Sequence, residues 1–217
     1  MRGLEEVEKR IVAACARANR PRESVQLVAV SKGQPIEKLQ EAYRAGHRVF
    51  GESRAQELAV KYGAVGPDVE WHFIGPLQRN KIRQVRPAVA MLHSLDRIEL
   101  ATAWMKGPGQ APPALLQVKL GGEATKHGFE IGAVRGAVDA CEELGVPLVG
   151  LMAIPPHSSD QNEGRAWFEQ LRDVRDSLDH QAVRELSMGM SQDFEVAIEA
   201  GATIIRVGSA IFGVRTS

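Results

Sequence analysis

The stretch VQLVAVSKGQP, Val25 to Pro35, carries an apolar run into Ser31 and Lys32, with Gly33 and Pro35 behind them. Five of the six residues from Val25 to Val30 are apolar, the pattern of a strand buried on both faces. A lysine directly past such a strand has two uses. Its stem can pack along a rim while the ammonium stays in water. Or the amine is held in a partly dry mouth, where desolvation lowers its pKa and frees a lone pair to attack an aldehyde and form a Schiff base. The lysine alone does not separate the two.

A second constellation lies in LSMGMSQDFEVAIEAGATIIRVGSAIFG, Leu186 to Gly213. A strand ends near Gly189, and Ser191 is expected to start a helix whose first turn carries Asp193 and Glu195. A further strand ends around Arg206, Gly208 and Ser209. Glycine for close backbone approach, hydroxyls at Ser191 and Ser209, and open N–H groups are what a phosphate site needs. The competing assignment makes Ser191 an N-cap and Gly208 a turn residue, and the acids in the first turn lean that way because they compete with a bound anion.

Other candidates fail on spacing. GESRA, Gly51 to Ala55, departs from a G-x-S-x-G nucleophile elbow at Ala55. The six histidines, His47, His72, His93, His127, His157 and His180, show no paired metal spacing. There is no Walker loop and no G-x-G-x-x-G. In WHFIGPLQRNK, Gln78, Asn80 and Lys81 follow an apolar run and either ring a mouth or simply start a helix.

The elements that must position these residues alternate. Apolar runs at Val25–Lys32, His47–Gly51, Glu70–Gly75, Ala90–Leu95, Ala114–Leu120, Pro147–Ile154, Arg184–Gly189 and Thr203–Phe212 predict eight strands, the first seven each followed by a helical pattern. Eight evenly spaced βα units in 217 residues predict a single (β/α)8 TIM barrel rather than a doubly wound sheet. An extra N-terminal helix over Gly3 to Ala18, with Leu4, Val7, Ile11, Val12 and Cys15 on one face, is expected to take the closing helix's place. No linker or repeat divides the chain, so residues 1–217 are expected to form one domain. In such a barrel the chemistry sits just past the C-terminal ends of the strands, where Lys32, Ser191 and Gly208 fall.

Composition narrows the class. Lysine plus arginine balances aspartate plus glutamate, 27 against 27, which gives no electrostatic case for nucleic acid or an anionic membrane. Cys15 and Cys141 are expected to be reduced packing residues. The N-terminus lacks a signal peptide's apolar core and no window approaches a membrane span, so a soluble cytoplasmic protein is expected.

Taken in order, LVAVSK, GESRAQE, WHFIGPLQRNK, HSLD, GLMAIPP, LSMGMSQDFEVAIEAG and RVGSAIFG resemble the pyridoxal phosphate homeostasis proteins, from about Leu27 to Arg215. That family is a single barrel similar to the N-terminal domain of alanine racemase, with pyridoxal 5′-phosphate (PLP) in its mouth. The resemblance implies that Lys32 forms the internal aldimine with PLP. It also implies that Ser191, Gly208 and Ser209 bind the phosphate and that Arg206 faces the pyridine nitrogen. Ser53 stands where the family usually has asparagine near the cofactor, Gly33 where threonine commonly follows the lysine, and Lys119 where asparagine is expected. Gly122, Glu123, Lys126 and Gly128 keep the pattern.

An arginine can only donate, so Arg206 opposite the ring nitrogen keeps that nitrogen unprotonated and weakens the electron sink on which PLP enzymes rely. An alanine-racemase-like enzyme then needs a second acid/base on the other cofactor face, which in that family comes from a separate C-terminal domain. The present chain stops at Ser217, so that domain is expected to be missing. The resemblance therefore implies a non-enzymatic, monomeric protein of vitamin B6 homeostasis that buffers PLP and delivers it to apo-enzymes. A small PLP-dependent amino-acid racemase is the alternative, and a phosphate-binding barrel without aldehyde chemistry the third possibility.

Overall fold

The computed structural model describes residues 1–121, 127–156 and 161–213. In chain order these form α1 (Arg2–Arg17), β1 (Gln26–Val30), α2 (Ile36–Arg44), β2 (Val49–Glu52), α3 (Ala55–Lys61), β3 (Glu70–Phe73), α4 (Ile82–Val85), β4 (Met91–Leu95), α5 (Ile98–Met105), β5 (Ala114–Lys119), β6 (Phe129–Glu130), α6 (Val134–Glu143), β7 (Leu148–Met152), α7 (Gln161–Leu178), β8 (Glu185–Ser187), α8 (Phe194–Glu199), β9 (Ile204–Val207) and α9 (Ser209–Phe212).

Side-chain alternation explains why the strands are apolar throughout. In β1, Val28 points to one side and joins Leu115 of β5, Met152 of β7 and Ile204 of β9 in a small interior cluster. Leu27 and Ala29 point to the other side and join the larger core beneath the helices. Each strand thus serves two cores, as a parallel sheet covered on both faces must. The ring runs β1–β2–β3–β4–β5–β7–β8–β9, all parallel, and the β9–β1 and β4–β5 pairings close it. This is the predicted eight-stranded barrel.

Three local expectations change. The run Thr203–Phe212 is not one strand: β9 stops at Val207 and Ser209–Phe212 turns into α9. A two-residue strand, β6, adds to the end of β5 with Val118 opposite Phe129, outside the ring of eight. The helical pattern after β3 breaks into 3₁₀ turns on either side of α4, with Pro87 in the second. Gly122, Glu123, Lys126 and His157 lie outside the described residues.

The N-terminal helix takes the closing position. Helix α1 packs on α8 and α9, with Arg10 bonded to Glu195 at 2.7 Å and stacked over the Phe194 ring at 4.5 Å, and Arg17 bonded to Glu199 at 2.7 Å. Its buried stripe is Leu4, Val7, Ile11, Ala14 and Cys15, whereas Val12 is 52% exposed. Val12 lies about 100° around the helix from Ile11 and falls off the stripe. Both cysteines are free and buried. Among the described residues no helix is long and apolar enough to cross a membrane.

Candidate functional site

The lysine past β1 sits in a built turn. Strand β1 ends at Val30, and the Gln34 N–H donates to the Ser31 carbonyl at 3.0 Å, which places Lys32 second and Gly33 third in a hydrogen-bonded turn. Gly33 has φ +67°, the positive φ that the third place of a type II turn requires. The glycine at this position therefore has a local cause. Lys32 itself is half-buried.

Beneath this turn lies an ionic knot that the sequence did not single out. The Lys61 ammonium, from the end of α3, donates to Glu52 Oε1 at 2.6 Å, to the Ser31 carbonyl at 2.7 Å and to Glu57 Oε2 at 3.3 Å. The Ser31 hydroxyl donates to Glu52 Oε1 at 2.6 Å, and the Gly33 N–H donates to Glu57 Oε2 at 2.7 Å. Burial would raise the Glu57 pKa, but the Gly33 amide and Lys61 outweigh it and hold the carboxyl below its usual range. Both neighbours of Lys32 are thus pinned by carboxylates. Removing one partner from a buried pair of this kind costs about 3–5 kcal/mol.

The same turn is tied to the end of α9. Lys38 donates from Nζ to the Phe212 carbonyl at 2.6 Å and to Gln34 Oε1 at 3.2 Å. Just past β9, Gly208 lies close to β1: a Cβ built on it would be 3.3 Å from Val30 Cβ and 3.2 Å from the Val30 carbonyl. Glycine lets β9 close tightly on the strand that carries Lys32.

Ser191 does not cap a helix. Helix α8 starts at Phe194, with Asp193 at its N-cap position and the Asp193 carboxylate accepting from the Met190 N–H. The Ser191 hydroxyl instead accepts from the Gly208 and Ala210 N–H groups at 3.2 and 3.3 Å. It joins the loop after β8 to the start of α9, where Ser209 stands exposed. Among the described residues these amides have a hydroxyl as their partner, which a more strongly accepting oxyanion could replace.

Arg206 is 4% exposed and points into the barrel. Its Nη1 donates to Ser187 Oγ at 2.5 Å and its Nη2 to the Ala153 carbonyl at 3.0 Å. Among the described residues no carboxylate pairs with it. Burial lowers its pKa to about 10, with the field of Asp193 opposing, so it stays a cation at neutral pH. Behind it runs a buried chain: His93 Nδ1 lies 2.9 Å from Ser187 Oγ, and His93 Nε2 lies 2.9 Å from His72 Nδ1. Burial pushes His72 down to about 4. It pushes His93 well below the usual histidine range, helped by His72 and Arg206. Both rings are neutral.

Lys32, Arg206, Gly208, Ser209 and Ser191 therefore converge on one end of the barrel, on β1, β9 and the loop after β8. Ser53 follows β2 directly after Glu52 of the knot, half-buried at the same end of the barrel. Gln78 and Asn80 are exposed and Lys81 half-buried in the 3₁₀ turn after β3, and the knot and the buried chain reach none of them. His72, His93 and Ser187 were passed over because histidine was weighed only as a metal ligand; among the described residues no cluster of three potential ligands forms. A usable signal was present: WHF, LSM and IRV each set one polar residue inside an apolar run, and LHSL sets two, with His72, His93, Ser187 and Arg206 at positions that alternation turns inward.

Comparison with known proteins agrees with this fold. The alanine racemase N-terminal domain family matches residues 4–216. A pyridoxal phosphate homeostasis protein of Aquifex aeolicus is 43% identical over 220 residues, covering 98% of this chain and 96% of its own. The Escherichia coli (strain K12) protein of the same description is 38% identical over 227 residues, covering 98% and 95%. The structure of PipY from Synechococcus elongatus with PLP bound superposes with a TM-score of 0.81 at 37% identity, over 95% of this chain and 100% of that one.

The buried histidines make stability depend on pH. Above the ordinary value of 6.5 His72 is neutral folded or unfolded; below it, the unfolded chain takes up a proton that the folded protein refuses until about 4. Stability should fall with acidification across that window, by about 3 kcal/mol for His72 alone. His93 and His47, both lowered chiefly by burial, act in the same direction. Urea midpoints measured from pH 7.5 to 4.5 test this, and a flat profile would show that the histidines take up protons as readily in the folded state as in the unfolded chain.

Proposed function

We propose a function from one premise: the chain belongs to the alanine racemase N-terminal domain family and, within it, to the pyridoxal phosphate homeostasis proteins. On this basis the protein holds PLP in the mouth of the barrel and acts in its homeostasis, buffering and delivering the cofactor without turning over amino acids. The observation that carries this is Arg206, a buried cation with two fixed bonds and no carboxylate partner among the described residues. Such a group calls for an acceptor at the mouth, and a ligand that combines a ring nitrogen with a phosphate supplies both an acceptor and negative charge.

The residues fit that cofactor. When bound, PLP supplies an aldehyde that a neutral amine attacks, with water leaving. Lys32, on its pinned turn, would provide the amine. The Gly208 and Ala210 amides, with the hydroxyls of Ser191 and Ser209, would hold the phosphate, the Ser191 hydroxyl turning from acceptor to donor. Ser53 would stand beside the lysine as a polar neighbour.

Arg206 also supports binding over catalysis. A cationic arginine donates to a ring nitrogen and cannot take its proton, so the nitrogen stays unprotonated and the ring draws electrons weakly. The described residues form one barrel, and we take the whole chain, residues 1–217, as a single domain acting as a monomer in the cytoplasm, with apo-enzymes that require PLP as its recipients.

Three experiments test these assignments. Protein loaded with PLP and reduced with borohydride should carry the cofactor on the peptide containing Lys32; a label on Lys38 or Lys81 would remove that assignment while leaving PLP binding intact. Pyridoxal without its phosphate should bind at least about a hundredfold more weakly, two charge-assisted bonds being lost; equal affinity would misplace the phosphate cradle. In deuterated water, common L-amino acids should show no Cα exchange by the loaded protein at enzymatic rates of about 1–10 s⁻¹, and exchange at that rate would make the protein a racemase-type enzyme.

A further inference from the structure

The chain behind Arg206 is directional. An arginine has donors only, so Ser187 Oγ must accept from Nη1 at 2.5 Å. The serine proton is then free to donate, and the acceptor in reach is His93 Nδ1 at 2.9 Å. His93 therefore carries its proton on Nε2 and donates it to His72 Nδ1 at 2.9 Å. The reverse order would aim two donors at the Ser187 hydroxyl and leave its own proton with no acceptor among the described residues. Every link lies out of solvent, with His93 and Ser187 fully buried and His72 nearly so.

We propose that His72, His93 and Ser187 form a positioning chain that fixes the plane of the Arg206 guanidinium, so that it donates to the ring nitrogen of the bound cofactor. This rests on the PLP assignment above and adds residues to it. Two anchors on different strands set the guanidinium plane: Ser187 on β8, and the Ala153 carbonyl just past β7. Of these only the serine can rotate. Its donation to His93 fixes that rotation, and the onward bond to His72 fixes the imidazole. In a dry interior, bonds in series polarise one another, so a serine that donates to a histidine is also a better acceptor for the arginine. None of the three is assigned contact with the cofactor. They act through Arg206, and their influence should be confined to what Arg206 touches.

That confinement supplies the test. The probes are PLP and the isosteric analogue in which a C–H replaces the ring nitrogen; the reading is the ratio of their dissociation constants, not either affinity alone. The wild-type protein should favour PLP by about tenfold or more, one charge-assisted bond. In His93→Leu, which leaves the Ser187 proton without an acceptor, the ratio should fall to about threefold or less. His93→Gln, whose amide can accept from Ser187 and donate to His72, should restore it. Ser187→Ala should lower the ratio as His93→Leu does, and it carries the test alone if His93→Leu fails to fold. Variants that weaken both ligands equally, with the ratio preserved, would make the chain a structural element only and overturn the proposal. A wild-type ratio near one, with PLP still bound, would remove Arg206 as the partner of the ring nitrogen and the proposal with it. Failure of PLP to bind at all would instead remove the cofactor assignment.

Discussion

A buried guanidinium with no counter-anion among the described residues is the constraint on which the mouth of this barrel depends. Removing a charge from water is expensive, and an unpaired one is tolerated only when its protons are satisfied and its field is dispersed. Here Arg206 gives one proton to a carbonyl and one to a hydroxyl, and the hydroxyl passes the polarisation on to two neutral imidazoles. None of these partners is an anion. A carboxylate in the same place would satisfy the arginine more fully and leave it little to offer a ligand.

The acid whose field acts on Arg206 is Asp193, whose carboxylate accepts from the Met190 N–H; two further acids support the other side of the mouth. Glu52 is fully buried on β2, and Glu57 stands one helix further along the chain. Both are committed to Lys61, Ser31 and Gly33. The ionic knot thus holds the backbone on either side of Lys32. The site is supported by an ion-pair network beneath the lysine and a neutral network behind the arginine. The two supports are chemically different because one must set a backbone position and the other must preserve a charge.

The barrel was legible because strands buried on both faces leave uninterrupted apolar runs, and eight of them recur at even spacing. Lys32, Ser191, Arg206 and Gly208 were legible because polar and small residues at the ends of such runs fall at the mouth. The turn from β9 into α9 was not, since IIRVGSAIFG is largely apolar throughout and too short for periodicity to divide it. Strand β6 has two residues, too few for a pattern. Ser191 was misplaced as a helix start because its true partners, the Gly208 and Ala210 amides, come from a different βα unit. The polar positions of the histidine chain could be read one by one, but not their connection: His72, His93, Ser187 and Arg206 lie on four strands and become neighbours only in the closed ring.

The His93–Ser187 bond joins β4 to β8, two strands separated in the ring by β5 and β7, and residues 94 positions apart in sequence. It is a chord across the barrel rather than a rung along its wall. Before the ring closes, each group that it joins is a polar atom facing an apolar lumen without its partner, at a cost of about 1–3 kcal/mol apiece. A partly wound sheet therefore gains little by burying its inner face early, and its two ends are driven to come together in a single step. Such long-range pairing slows folding, but it leaves few stable half-assembled states. The residues that hold the arginine in place also make closure of the barrel cooperative.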